Sequence, residues 1–85
     1  MDDRRKKLKF RAWRRGFREI DLILGGFADR HLADLEDARL DEFERLLDAP
    51  DQDVFAWITD QLPTPDAFET PTMAMIREFQ IAMND

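Results

Sequence analysis

The spacing of apolar residues constrains this chain more than any other feature. Ile20, Ile23, Leu24 and Phe27 fall at positions i, i+3, i+4 and i+7, which places their side chains on one face of an α-helix. No stretch alternates apolar and polar residues with the period of two that a half-buried strand requires. The pattern therefore predicts an all-α fold.

Glycines mark the ends of the first two predicted helices. A short first helix is predicted from Arg5 to Arg14, and Gly16 should break or bend the chain, because Gly lowers helix preference by about 1 kcal/mol relative to Ala. The second helix begins at Phe17. Gly25-Gly26 indicates fraying toward its end, followed by a linker over residues 28–34.

Prolines and capping residues delimit three more helices. Pro50 ends the third helix, and Asp51 or Asp53 is a candidate N-cap of the fourth. Thr70-Pro71 is typical of an N-cap followed by proline at the first helical position, which starts the fifth. The apolar stripes of these helices are Leu40, Phe43, Leu46 and Leu47; Val54, Phe55, Trp57 and Ile58; and Met75, Ile76, Phe79 and Met83. Together they predict a compact five-helix bundle, one domain over residues 1–85 with residues 1–5 and 84–85 frayed.

Charge is distributed unevenly along the sequence. The net charge is −6, but residues 1–19 hold nine Lys or Arg and three acids, which leaves the rest of the chain at −12. A basic first helix suits either a nucleic acid or a protein surface. The acidic remainder would repel a phosphate backbone, so the balance favours a protein partner.

The residues offer little for catalysis or metal binding. There is no cysteine, and the single histidine, His31, has no second histidine at metal-ligand spacing. No glycine-rich phosphate loop follows a strand, and no apolar run approaches the ~20 residues that cross a bilayer. We therefore expect no enzyme activity, no bound metal and no membrane insertion.

The stretch Arg14-Arg15-Gly16-Phe17-Arg18-Glu19 stands out chemically. Gly16 removes a side chain where two helices meet and so lets a partner backbone come close. Arg15 and Glu19 lie four residues apart and can share one helical face if the second helix begins there. An ordinary helix junction with an ion pair explains this spacing equally well, and both interpretations stay open on the residues alone.

Two blocks of the sequence, "RRGFREID" and "DLEDARLDEFERLLDAPDQDVFAWI", resemble the FAD assembly factor family of succinate dehydrogenase, called SdhE in bacteria. Arg15, Gly16 and Glu19 match its Arg-Gly-x-x-Glu hallmark. The second block matches at Leu46, Leu47, Asp48, Asp51, Asp53, Phe55 and Trp57. The resemblance runs from about Leu8 to Met83 and implies a five-helix bundle.

The resemblance also implies a function. Members of the family are not enzymes; they bind the flavoprotein subunit of succinate dehydrogenase, and often that of fumarate reductase, and promote covalent attachment of FAD to a histidine of that subunit. The chain itself is expected to hold no cofactor stably. The implied partner-binding residues are Arg15, Gly16 and Glu19, extended to Arg11, Arg14, Phe17, Arg18 and Asp21.

Two further expectations accompany this interpretation. The free protein is expected to be a monomer in the bacterial cytoplasm. The alternative is a small nucleic-acid-binding or antitoxin-like regulatory protein that uses the basic first helix.

Overall fold

The computed structural model describes residues 1–83. They form five α-helices, with two single turns of 3₁₀-helix at Leu32–Asp34 and Asp66–Phe68 and no strand within that range. The helices are α1 (Asp3–Ala12), α2 (Arg18–His31), α3 (Asp37–Asp48), α4 (Asp51–Ile58) and α5 (Pro71–Met83). The prediction of an all-α bundle of five short helices is confirmed.

The core lies between α2 and the helices around it, because each helix turns apolar side chains inward. Met83, predicted as part of the α5 stripe, lies at the end of that helix and is exposed. Phe27 of α2 and Phe43 of α3 are fully buried, with ring centroids 5.6 Å apart. The ring of Phe79 from α5 meets that of Phe27 edge to face at 6.0 Å. Burial of such aromatic side chains removes the most apolar surface per residue and dominates the packing energy.

The first helix begins earlier than predicted. Asp2 is its N-cap and accepts a hydrogen bond from the backbone amide of Arg5 at 2.9 Å, so helix is already present inside the stretch expected to fray. That amide, assisted by the Arg5 guanidinium, lowers the pKa of Asp2. The predicted fraying of residues 84–85 lies outside the described residues.

The second helix passes through its two glycines without a break, which corrects two predictions. Gly25-Gly26 does not fray the helix, and residues 28–31, predicted as linker, belong to α2. The indole of Trp13 packs directly against Gly25: a Cβ there would lie 2.2 Å from Trp13 Cδ2. Gly25 is therefore present for close packing.

The start of the fifth helix follows the prediction. The amide of Met73 donates to Thr70 Oγ1 at 3.1 Å, so Thr70 caps the helix ahead of Pro71. Glu42 of α3 accepts from the hydroxyl of the buried Thr72 at 2.8 Å and from its amide at 3.2 Å. These bonds attach the start of α5 to α3.

Candidate functional site

The candidate site is the corner between α1 and α2, residues 13–17, where the ends of four helices meet. Arg15 lies at its centre, and only 11% of its side chain is exposed. Its Nε donates to Asp51 Oδ1 at 2.8 Å, and its Nη2 donates to the carbonyl oxygen of Leu47 at 2.7 Å. The guanidinium thereby joins the corner to the end of α3 and the start of α4.

Two carboxylates hold the backbone of the corner. Asp21 Oδ1 accepts from the amide of Arg15 at 2.6 Å, and Asp51 Oδ2 accepts from the amide of Gly16 at 2.6 Å. Asp51 thus binds the Arg15 side chain with one oxygen and the Gly16 backbone with the other. Charge-assisted bonds of this kind are stronger than neutral ones, so the corner has a defined conformation.

At Gly16 the carboxylate of Asp51 lies close to the backbone. The residue is exposed and its φ is not positive, so its conformation does not require glycine. A Cβ at this position would lie 3.0 Å from Asp51 Oδ2, which is tighter than ordinary contact. The close approach of a partner backbone at Gly16 stays a prediction.

The predicted shared face of Arg15 and Glu19 is wrong. The second helix begins at Arg18 and not at Arg15, so the two residues do not lie on one helix. Arg15 pairs with Asp51 instead. Glu19 is exposed in the first turn of α2 and forms no ion pair within residues 1–83.

The eight predicted contact residues fall into two groups of four. The exposed group lies on the outside of the corner and at the start of α2, and the other group is partly buried and packed within the chain. Arg11 pairs with Asp48 at 2.6 Å, and the ring of Phe17 meets that of Phe55 edge to face at 5.3 Å. The exposed residues are Arg14, Gly16, Arg18 and Glu19; the packed residues are Arg11, Arg15, Phe17 and Asp21. Contact of any of the eight with a partner stays a prediction.

Sequence reasoning assigned Asp51 the wrong role. It was a candidate N-cap of α4, but Pro50 is the N-cap residue, and the Asp51 carboxylate points to the corner. Asp51 does belong to the second block of the family resemblance. An acid in the first turn of a helix is common because its negative charge interacts favourably with the positive end of the helix dipole. The position of Asp51 in the sequence therefore gave no sign of its contact with the corner.

Three of the six cations of α1, Arg4, Lys9 and Arg11, pair with acids of other helices. Arg4 pairs with Asp41 and Glu44 of α3, and Lys9 pairs with Asp29 of α2 at 3.1 Å. The basic helix therefore binds to the acidic body of its own chain. This arrangement leaves fewer cations for a phosphate backbone than the sequence suggested.

His31 lies at the end of α2 among aromatic rings. Its ring centroid is 5.0 Å from that of Phe27 and 6.2 Å from that of Phe79. In the part of the chain that the structure describes, no three His, Cys, Asp or Glu side chains are grouped to hold a metal ion. No helix of residues 1–83 has both the length and the apolar character to span a bilayer.

The family follows from comparison with known proteins. The sequence profile of Sdh5, described as the flavinator of succinate dehydrogenase, matches residues 6–80. The chain belongs to this family. The match contains the whole corner and the α4 residue that fixes it.

Several curated proteins named succinate dehydrogenase assembly factor 2 are similar to this chain. The succinate dehydrogenase assembly factor 2 of Mycosarcoma maydis is 49% identical over 59 residues, which are 69% of this chain and 25% of that protein. The Danio rerio protein is 33% identical over 93% of this chain and 51% of its own length. The Dictyostelium discoideum protein is 37% identical over 86% of this chain and 52% of its own length. The chain spans about half the length, or less, of these curated relatives.

These relatives correct one expectation. All three are named as mitochondrial proteins and come from eukaryotes. The prediction of a bacterial cytoplasmic location conflicts with them and is wrong. The nucleic-acid-binding alternative is likewise not favoured, since the matched family is described by its action on succinate dehydrogenase.

Proposed function

We propose that this chain is an assembly chaperone of succinate dehydrogenase. It binds the flavoprotein subunit and promotes covalent attachment of FAD to a histidine of that subunit, without catalysing the reaction itself. The description of the matched family as a flavinator of this enzyme supports the proposal. The flavoprotein of fumarate reductase is proposed as a second client.

The observation that carries the proposal is the fixed corner. Arg15, Asp21 and Asp51 hold the backbone between α1 and α2, and the exposed side chains of Arg18 and Glu19 project beside it. A surface that is already ordered loses little conformational entropy when it binds. It is therefore suited to hold a flexible client in one arrangement.

The proposed mechanism is orientation of groups that belong to the client. FAD and the histidine that it joins are both held by the flavoprotein, so this chain binds no cofactor of its own. Correct orientation of two reacting groups lowers a barrier by up to ~7 to 11 kcal/mol in the best intramolecular systems. The guanidiniums of Arg14 and Arg18 suit this task because they bind carboxylates through two parallel hydrogen bonds.

The test uses the purified flavoprotein subunit with FAD. Wild-type chain should form a one-to-one complex on size-exclusion chromatography and raise the fraction of covalent flavin, read as in-gel fluorescence after denaturation. Glu19→Arg should weaken the complex about tenfold or more, as for a residue central to an interface. Arg45→Glu, a charge reversal at an exposed residue of α3, is the matched control and should bind within about twofold of wild type.

Two results would contradict the proposal. One is a wild-type chain that neither binds the flavoprotein nor changes its covalent flavin. The other is stable retention of the chain in the finished enzyme, because that would make it a structural subunit and not a chaperone.

A further inference from the structure

The outer face of α1 carries a second exposed feature, separate from the packed residues of the corner. Phe10 is 58% exposed, more than any other aromatic residue in the described chain. Lys6 and Lys7 lie one helical turn before it, and together with Arg11 they line a shallow depression around its ring. Lys6, Lys7, Phe10 and Arg14 are called the α1 patch below.

Arg14 connects the α1 patch to the corner. Its guanidinium carbon lies 3.6 Å from the centroid of the Phe10 ring, which is the geometry of a cation–π contact. This contact covers one face of the ring and leaves its remainder exposed. Since Arg14 is also one of the exposed residues of the corner, the patch and the corner form one continuous surface.

The cations of α1 divide according to their partners. Arg4, Lys9 and Arg11 are in ion pairs with acids of α2 and α3. Across residues 1–83, Lys6 and Lys7 of α1 form no ion pair, and neither does Arg14, which lies two residues beyond the end of α1. The positive charge of α1, and of Arg14 just after it, that is not neutralised within the chain is therefore concentrated around one exposed aromatic ring.

We propose that the α1 patch binds an acidic segment of the flavoprotein subunit, with carboxylates against Lys6, Lys7 and Arg14 and an apolar side chain against Phe10. The proposal rests on the proposed function and extends the client contact from the corner along α1. Charge complementarity identifies the occupant, because unpaired cations around an apolar centre fit carboxylates around an apolar side chain.

A nucleic acid fits this patch less well. Proteins that bind duplex DNA strongly through its backbone neutralise about six to ten phosphates, whereas the patch offers three cations. The chain as a whole carries a net charge of −6, which repels a polyanion at longer range. A short acidic protein segment needs only a few cations and uses the exposed ring as an anchor.

The experiment measures binding of the full chain to the purified flavoprotein by fluorescence anisotropy at several salt concentrations. Phe10→Ala should weaken binding about tenfold, because it removes the apolar anchor. The double variant Lys6→Gln/Lys7→Gln should weaken binding about three- to tenfold at low salt and make the affinity less dependent on salt. None of the four patch residues is part of the core, so circular dichroism should show that the variants keep the wild-type fold.

Matched controls separate the patch from general loss of apolar or charged surface. Ile81→Ala removes an apolar side chain of α5 that is 61% exposed. Arg30→Gln/Arg45→Gln removes two exposed cations from α2 and α3. Both controls should bind within about twofold of wild type.

The outcomes distinguish the patch from the proposed function. If wild type binds the flavoprotein and Glu19→Arg weakens binding while the patch variants bind normally at every salt concentration, the patch proposal is wrong and the proposed function stands. If wild type does not bind at all, the proposed function itself fails. Binding of a fluorescein-labelled 20-nucleotide oligouridylate at physiological salt, lost in the patch variants, would instead assign the patch to nucleic acid and overturn the proposal.

Discussion

At the residue scale, Arg15 is chiefly a structural residue of this chain. Its guanidinium bonds Asp51 and the carbonyl oxygens of Leu47 and Arg11, and its amide bonds Asp21. A planar group with several donors in fixed directions can satisfy three acceptors at once, whereas a lysine ammonium cannot reproduce that geometry. The Arg-Gly pair of the family hallmark therefore shapes the corner from within.

The Arg15–Asp51 pair is expected to stabilise the fold. Arg15→Gln and Asp51→Asn should each lower the free energy of unfolding by about 1 to 3 kcal/mol, less than the ~3 to 5 of a fully buried pair, because both groups keep some exposure. Urea unfolding of the two single variants and the double variant measures their coupling, expected at about 1 to 2 kcal/mol. Independent sites have additive effects to within ~0.3–0.5 kcal/mol. If the loss of stability in the double variant equalled the sum of the two single losses to within about 0.3 kcal/mol, the pairing would be contradicted.

Gly16 allows a test of the surface with the fold kept intact. Gly16→Ala adds a Cβ that Asp51 accommodates by a shift of a few tenths of an ångström, so client binding should change only a few-fold. Gly16→Arg projects a long cation from the exposed corner, and we expect the complex with the flavoprotein to weaken about tenfold or more. Normal binding and full covalent flavin with Gly16→Arg, in a chain shown to be folded by circular dichroism, would place the interface elsewhere.

At the element scale, α2 depends on a contact that its own sequence does not reveal. Trp13, the C-cap residue of α1, covers Gly25, and its indole Nε1 donates to Asp29 Oδ1 at 3.2 Å. The glycine weakens the helix locally and permits the close approach of the indole. The cost of about 1 kcal/mol in helix preference is offset by this packing.

Gly25→Ala is expected to destabilise the protein although alanine favours helix. The added Cβ meets the Trp13 ring at 2.2 to 2.7 Å, and displacing that ring should cost more than helix preference returns, for a net loss of about 1 to 2 kcal/mol. Gly26→Ala is the matched control, since its Cβ meets only the tip of the half-buried Phe79 at 3.0 Å. Gly25→Ala should have a lower midpoint of thermal unfolding than Gly26→Ala. The reverse order of the two midpoints would contradict this account.

The connection between α4 and α5 is held by Arg77, which donates to Glu69, to Thr64 and to the carbonyl oxygen of Trp57. The hydrogen bond from Arg77 to Glu69, together with the positive charge of Arg77, lowers the pKa of Glu69 from its usual value of 4.5. The stabilisation that this carboxylate contributes is present above pH 4.5 and is lost as the pH falls through the lowered pKa. An NMR titration should show the low midpoint in wild type and its return toward 4.5 in Arg77→Gln; an unchanged midpoint in that variant would contradict the pairing.

The sequence predicted those elements whose signals are local. Apolar stripes placed α2 to α5, and Thr70-Pro71 placed the start of α5, because a helix face and an N-cap are decided within a few neighbouring residues. The pairing of Arg15 with Asp51 joins residues 36 positions apart, and Trp13 covers Gly25 on another helix. Periodicity describes one helix at a time, so neither contact was accessible, and Arg15 was for that reason paired with Glu19 and not with Asp51.

At the scale of the whole molecule, the contrast between a basic first helix and an acidic remainder is reduced by ion pairs between them. In the fold, α1 lies against α2 and α3, and three of its six cations pair with their acids. The helix also contributes Leu8 and Ala12 to the core. It is a structural part of the bundle, and only its outer face keeps the character of a basic arm.

Deletion of residues 1–12 tests this integration. A detachable arm could be removed without harm, whereas loss of α1 exposes the apolar surface under Leu8 and leaves the acids of α3 unpaired. A chain this small has little stability in reserve, so we expect the truncated chain to lose cooperative thermal unfolding. A truncated chain that unfolds cooperatively within a few degrees of wild type would show that α1 is dispensable.

The two-sided bonding of Asp51 has a consequence for how loss-of-function variants are interpreted. A substitution at Arg15 or Asp51 changes the corner and the first turn of α4 together, so lost activity there reports on folding and recognition at the same time. Arg18 and Glu19 stand outside this bonding and are exposed. Variants of those two residues separate recognition from folding, and a genetic screen for partner contacts is best read from them.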